Sequence, residues 1–301
     1  MVLLAKGEAV SAREQIETSL ALYSPERDAA TTQMFGQNTE VHSKSLLSLT
    51  LLCLGEVDAA LEVGIDALRT ADGLRHPHST AIPLCYVGGW VFGLCDATDP
   101  MKIEARRLIL LAEQHRLAGF RAHGMALFGW ALCQSGELAQ GIAALEQAVG
   151  AFDAITFHLA LAGHLANLAD AQRRLGRIQE ANCSCQRALD LLPAGSRWLE
   201  PEVRRVAALV SVELEPAQLD HAEAMLRHAV TCAQELGFPV MERRCLSSLV
   251  NLLGPQRRDS TIDARLAALS HLTNLDRRVD RALRAPPREV RTQAGSNTPV
   301  G

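Results

Sequence analysis

Seven turn-forming residues, Gly7, Gly55, Pro100, Gly136, Gly176, Pro216 and Gly254, recur along the chain 36 to 48 residues apart, about 41 on average. The segment around Gly176 is the most regular: Ala162 to Pro193, AGHLANLADAQRRLGRIQEANCSCQRALDLLP. Leu165, Leu168 and Ala169 before the glycine, and Ala181, Cys185 and Ala188 after it, are spaced three or four residues apart, so each set lies on one helix face. The spacing predicts two short amphipathic helices hinged at Gly176 and closed by Pro193. One such pair cannot bury its apolar stripe alone, so the recurrence predicts stacked helix pairs sharing a continuous core.

Composition agrees with that architecture. Aromatic residues are only 4% of the chain, whereas Ala and Leu abound, which favours closely approaching helices over strands. The formal net charge of -4 points to neither a polyanionic nor a polycationic partner. Eight cysteines without a CxxC spacing fall in apolar surroundings and read as reduced thiols. Met1 to Ala5 lacks the charged leader and long apolar stretch of a signal peptide. Ser79 to Cys95 is uncharged but too short to span a bilayer, and it holds Pro83. A cytoplasmic protein with no membrane partner is expected.

In chain order, Gly7, Ala9, Ala12, Ile16 and Leu20 match the second half of a repeat whose first half is missing, so the chain is expected to begin inside one. Residues 1–38 read as a truncated repeat plus a connection through Pro25 and Gly36. Residues 39–275 read as the repeat array. It contains Val41–Leu54 with Val57–Ala71 (closed by Gly73), then a helix capped by Ser79, then Ile103–Leu117 preceded by Asp99 as cap and Pro100 at the first helical position. Gly129 and Gly141 sit at helix positions, where each costs roughly 1 kcal/mol against Ala, so two helices are expected to cross there. Residues 276–301, with Arg277, Arg278, Arg281, Arg284, Arg288 and Arg291, read as a disordered tail.

Small residues at the crossings and a closing proline resemble the tetratricopeptide pattern, although the period exceeds 34 residues. The expected fold is therefore all-α, a tetratricopeptide-like right-handed α-solenoid of about six irregular helix pairs. Further stretches carry a narrower resemblance: Ala21-Leu22-Tyr23-Ser24-Pro25-Glu26-Arg27, Phe35-Gly36-Gln37-Asn38, His76-Pro77, Gly129-Trp130-Ala131-Leu132, Arg197-Trp198-Leu199-Glu200 and Glu242-Arg243-Arg244. In this order, from about Ala12 to Leu253, they resemble the C-terminal repeat region of bacterial signalling proteins that carry a class III nucleotidyl cyclase domain and a signal-transduction ATPase module. Ser24 and Asn38 stand where that family usually has Asp. The resemblance implies a non-catalytic interaction region whose partner includes upstream domains of the same polypeptide. Similar repeats are fused to large bacterial transcription activators, which keeps a small-ligand sensor as the alternative.

No catalytic signature accompanies the repeats. A phosphate loop needs Gly-x4-Gly-Lys-Ser/Thr, and the chain has none. His76 and His78 lack a third ligand for zinc, and no nucleophile elbow occurs. No cofactor is expected. The Arg-rich tail has no aromatic platform beside it, so protein or peptide, rather than nucleic acid, is the expected partner. The first helices of the pairs would line a groove presenting His123, Trp130, Gln134, Asn167, Asp170, Arg173, Arg204, Ser211, Arg244, Ser248 and Asn251. Trp and Arg are the residue types enriched at binding hot spots.

Overall fold

The computed structural model describes residues 1–155, 160–194, 196–254, 257 and 259–286, and among them there is no strand. The chain opens with α1 (Val2–Ala5), α2 (Ala9–Leu22), α3 (Pro25–Phe35), α4 (Thr39–Cys53) and α5 (Val57–Leu74). Next, α6 (Pro77–Pro83) runs through a π-helical stretch, Leu84–Val91, into α7 (Phe92–Leu94). Then come α8 (Thr98–Gln114), α9 (Ala118–Gln134), α10 (Leu138–Ile155), α11 (Leu161–Arg174) and α12 (Ile178–Leu191). The chain continues through α13 (Glu200–Leu214), α14 (Leu219–Glu235), α15 (Pro239–Leu253), α16 (Ser260–Ala268) and α17 (Leu275–Arg284). The packing is mainly between sequence neighbours, α4 on α5, α8 on α9, α9 on α10 and α11 on α12.

The turns reveal a tighter repeat than the hinges suggested. At Gly55 the helix closes with Gly55 N–H on Leu52 O and Glu56 N–H on Leu51 O, and the same double bond recurs at Gly136 and Gly176. This closure needs a left-handed residue, which glycine supplies without a Cβ penalty. Between α7 and α8 the same closure falls on Asp96 (φ 57°), not on Pro100. Asp96 thus replaces Pro100 as the hinge, and Ala97, not Asp99, precedes the first residue of α8. Arg75 (φ 49°) likewise takes the left-handed position expected at Gly73, which lies inside α5. Helix α6 is capped by His76, whose Nδ1 accepts from Ser79 N–H, and Ser79 Oγ instead accepts from the Asn38 N–H.

Two further expectations are corrected. The connection expected before Asn38 contains α3, because Pro25 at its first turn is preorganised for a helix. The tail expected from residue 276 opens with α17, which buries Leu275 and Val279 and binds Asp58 of α5 through Arg278 Nε at 2.8 Å. Arg69 also donates to the Ala285 carbonyl at 2.7 Å. The expectations placed on Arg288, Arg291 and the chain end lie outside the described residues.

These contacts belong to a larger seam in which the array meets itself. A Cβ built on Gly55 would stand 2.6 Å from Pro239 Cγ, and one on Gly7 2.3 Å from Leu236 Cδ2. Arg244 reaches Asp96, 148 residues earlier, at 3.1 Å.

The predicted crossing of α9 and α10 is present. A Cβ on Gly129 would lie 2.8 Å from the Gly141 carbonyl oxygen, and one on Gly141 would lie 2.3 Å from Cys133 Sγ and 2.7 Å from the Gly129 carbonyl. A backbone oxygen cannot move aside as a side chain can. Gly141→Leu is therefore expected to lose at least the upper part of the roughly 1–3 kcal/mol typical of overpacking. Gly150→Ala, on the same helix in open space, should gain about 0.5–1 kcal/mol. Urea denaturation of both variants checks the contrast; equal effects would place the crossing elsewhere.

Candidate functional site

Eight of the eleven groove candidates, Trp130, Gln134, Asn167, Asp170, Arg173, Arg244, Ser248 and Asn251, line one cavity of about 600 Å³. They come from α9, α11 and α15, and α13 adds Glu202 and Arg205. Arg204 is not there. It pairs with Glu200 (Nε to Oε1 2.8 Å) and lines a different cavity with Lys6, Glu8 and Arg197. One residue along a helix turns a side chain by about 100°, which is why Arg205 faces the site and Arg204 does not. Ser248 lines the cavity as expected and Ser211 does not.

Glu202 organises the floor. It is 6% exposed and accepts from Arg205 (Nε 2.9 Å, Nη2 2.7 Å) and Arg244 (Nη2 3.0 Å). Burial works to raise its pKa, but the two guanidiniums prevail and hold the carboxyl well below the usual range. Arg205 continues to Ser248 Oγ at 3.1 Å. Arg244 continues to Asp96. A second pair, Arg173 with Asp170 at 3.0 Å, stands on α11, and Arg173 also binds Glu213. Gln134 fixes the wall by donating to the Gly93 carbonyl at 3.2 Å.

Two lining groups are left over. Asn167 is 8% exposed, and its Nδ2 is fully covered with no hydrogen-bond partner among the described residues. Arg174, exposed at the rim, has no ion pair among them either. Sequence reading missed Arg174, Glu202, Arg205, Asp96 and Thr98. The last two come from the turn into α8, whose left-handed Asp96 has no glycine to mark it.

Trp130 is both wall and core. It is 6% exposed, packs against Gly93, and lies 5.7 Å from Trp90, which in turn meets Trp198 at 5.3 Å and His164 at 5.0 Å. His123, expected in the groove, is buried instead and lines a different cavity with His78 and Tyr86. Its Nδ1 lies 3.1 Å from His164 Nε2, and His164 stacks on Phe152. His164 Nδ1 has no partner, so the tautomer that avoids a buried orphan N–H is assigned: His164 Nε2–H donates to His123 Nδ1.

Burial lowers the His123 pKa to about 4, and burial together with the His123 charge lowers His164 well below its ordinary value. A folded-state pKa below the unfolded one gives stability that is complete above about pH 6.5 and is lost as pH falls toward the folded value. At pH 5 His123 alone should account for about 2 kcal/mol of loss. Urea midpoints at pH 7 and pH 5 measure this; a His123→Leu, His164→Leu double variant should show a smaller difference, and an equal difference would contradict the assignment.

All eight cysteines are free, and only Cys183 is exposed. Burial raises the Cys53, Cys85 and Cys245 thiols to about 12, which leaves them poor nucleophiles near neutrality. Among the described residues, no group of three or more His, Cys, Asp or Glu is placed to hold a metal ion, and no helix is long and apolar enough to cross a membrane. No protein-family model matches the chain, and no curated protein matches it. The site is thus read from its own geometry.

Proposed function

We propose that this chain is a non-catalytic helical-repeat scaffold, a tetratricopeptide-like right-handed α-solenoid whose inner face binds a protein or peptide partner. The observation that carries this reading is the convergence of Trp130, Gln134, Asn167, Asp170, Arg173, Arg244 and Asn251 on one cavity. These are rigidly mounted polar groups beside an aromatic wall, the make-up of a recognition surface. The family resemblance adds a context: the C-terminal part of a bacterial signalling polypeptide with cyclase and ATPase domains, whose upstream domains serve as partner. Peptide-display selection on the purified chain tests the reading. Sequences enriched by the unmodified protein should bind the Asp170→Ala, Arg173→Ala double variant at least tenfold more weakly. Equal retention by both would remove the groove from the assignment.

A second reading, a small-ligand sensor, is favoured by the Arg244–Asp96 bridge at the cavity wall and by a volume within the roughly 300–1,000 Å³ of small-molecule sites. A ligand at 100 times its dissociation constant would stabilise the fold by about 2.7 kcal/mol in a thermal-shift screen. Absence of any shift across a broad metabolite set would leave the peptide reading alone.

A further inference from the structure

We propose that the cavity beside His123 takes an uncharged ring compound bearing a carbonyl-type oxygen, which accepts a hydrogen bond from the Tyr86 hydroxyl. The cavity has a volume of about 370 Å³, within the roughly 300–1,000 Å³ of small-molecule sites. It shares no lining residue with the Trp130 cavity, so the inference does not depend on what that cavity binds.

The wall excludes charge. Cys85, Tyr86, Leu117 and Phe120 line it with His78 and His123, and no Asp, Glu, Lys or Arg is among the described lining residues. The contrast is with the Trp130 cavity, which holds four arginines, and the one beside Arg204, which holds Lys6 and Arg197. Burial lowers the His123 pKa to about 4, and burial together with the His76 charge lowers that of His78, so both imidazoles are neutral at pH 7. A carboxylate or an ammonium would give up its water here and meet no opposite charge. The wall also favours a flat body: His78 stands edge-on to Phe120, with ring centroids 5.1 Å apart, an arrangement that a further ring extends.

The oxygen follows from the donors. Tyr86 is partly exposed, and its hydroxyl has neither a hydrogen-bond partner nor complete cover among the described residues. His78 Nδ1 is fully covered without a partner, so the tautomer that avoids a buried orphan N–H is assigned, with the proton on Nε2. That N–H likewise has no acceptor among the described residues. A site offering an O–H and an N–H selects a ligand that brings an acceptor, and an apolar wall selects one whose remaining surface is apolar. Cys85 and Tyr86 belong to the π-helical stretch Leu84–Val91, a geometry that is rare in proteins and frequent at functional sites.

Acetophenone, ethylbenzene and benzoate share one benzene ring and carry a neutral oxygen, no oxygen and a charge in turn. Each is titrated against the full chain by saturation-transfer NMR. Acetophenone should bind saturably, and benzoate at least tenfold more weakly. Tyr86→Phe keeps the ring and should weaken acetophenone about two- to tenfold, the worth of one neutral hydrogen bond, while leaving ethylbenzene unchanged. Gly119 also lines the cavity, and a Cβ there meets only Ile155 Cδ1, at 3.9 Å. Gly119→Leu should therefore fill the space without displacing backbone and abolish binding of both uncharged probes, with the fold verified by its urea midpoint.

No saturable acetophenone, benzoate binding as tightly, full acetophenone affinity in Tyr86→Phe, or full binding by a folded Gly119→Leu chain would each overturn the proposal. The Asp170→Ala, Arg173→Ala double variant should bind acetophenone as the unmodified chain does. A loss there would move the ligand to the Trp130 cavity and remove the site at Tyr86.

Discussion

Glu202→Ala is expected to lower the free energy of unfolding by about 3–5 kcal/mol, the range seen when one member of a buried ion pair is removed. The reason is the charge left behind. Arg205 and Arg244 have side chains 12% and 19% exposed, and without Glu202 they stand beside each other with little water to screen them. Asp96 still bonds Arg244 but is itself 67% exposed, so it offers weaker compensation. Glu202→Gln keeps an acceptor and the shape but not the charge, and should fall between the two. Replacing all three residues by apolar side chains of similar volume should recover much of the loss, because the desolvation penalty of the network disappears with it. Urea denaturation of the three variants decides the matter; a loss under about 1 kcal/mol for Glu202→Ala would mean that water reaches the network. The pH dependence follows with the same sign as for His123. A folded-state carboxyl held below its ordinary value contributes fully above about pH 4.3 and loses that contribution as pH falls further, beneath the window set by the histidines.

The second large effect is expected at Trp90. Trp90→Ala should cost about 3–5 kcal/mol, as truncation of a buried large aromatic leaves a cavity its neighbours fill only in part. Trp90 is 3% exposed and touches Trp130, Trp198 and His164, and it lies so close to Gly163 that a Cβ there would be 2.6 Å from its ring. It therefore joins the π-helical stretch to α9, α11 and the segment before α13. Denaturant unfolding gives the size of the effect, and near-ultraviolet circular dichroism should lose the signal of the coupled indoles. Trp198→Phe supplies the contrast. Trp198 Nε1 is buried with no partner among the described residues, so removing that N–H relieves an unsatisfied donor and offsets part of the lost volume. A Trp198→Phe loss as large as that of Trp90→Ala would show that the cluster does not centre on Trp90.

Much of this molecule is local and so was legible from residues alone. Ala181, Cys185 and Ala188 were expected together on one helix face, and all three are buried. Gly55, Gly136 and Gly176 were expected at turns, and each has a positive φ. Helical period and helix closure act over a few residues, so spacing encodes them. Where a non-glycine residue took the left-handed position, as at Asp96 and Arg75, no residue type announced it, and the hinge was misplaced by four residues to Pro100.

The cavity was half local. Asn167, Asp170 and Arg173 share a helix face, which their spacing shows, whereas the choice between Arg204 and Arg205 turns on a rotation of about 100° that only packing settles. The neutrality of His123 was not visible, because its partner His164 comes from another helix.

The residues alone pointed to an all-α chain whose turn residues recur about every forty positions, and among the described residues there is no strand. The tertiary structure alone decided that the array meets itself, bringing Asp96 to Arg244 and Asp58 to Arg278. These contacts join residues 148 and 220 positions apart, so they depend on how all the helices between them pack, and no short stretch of residues carries that.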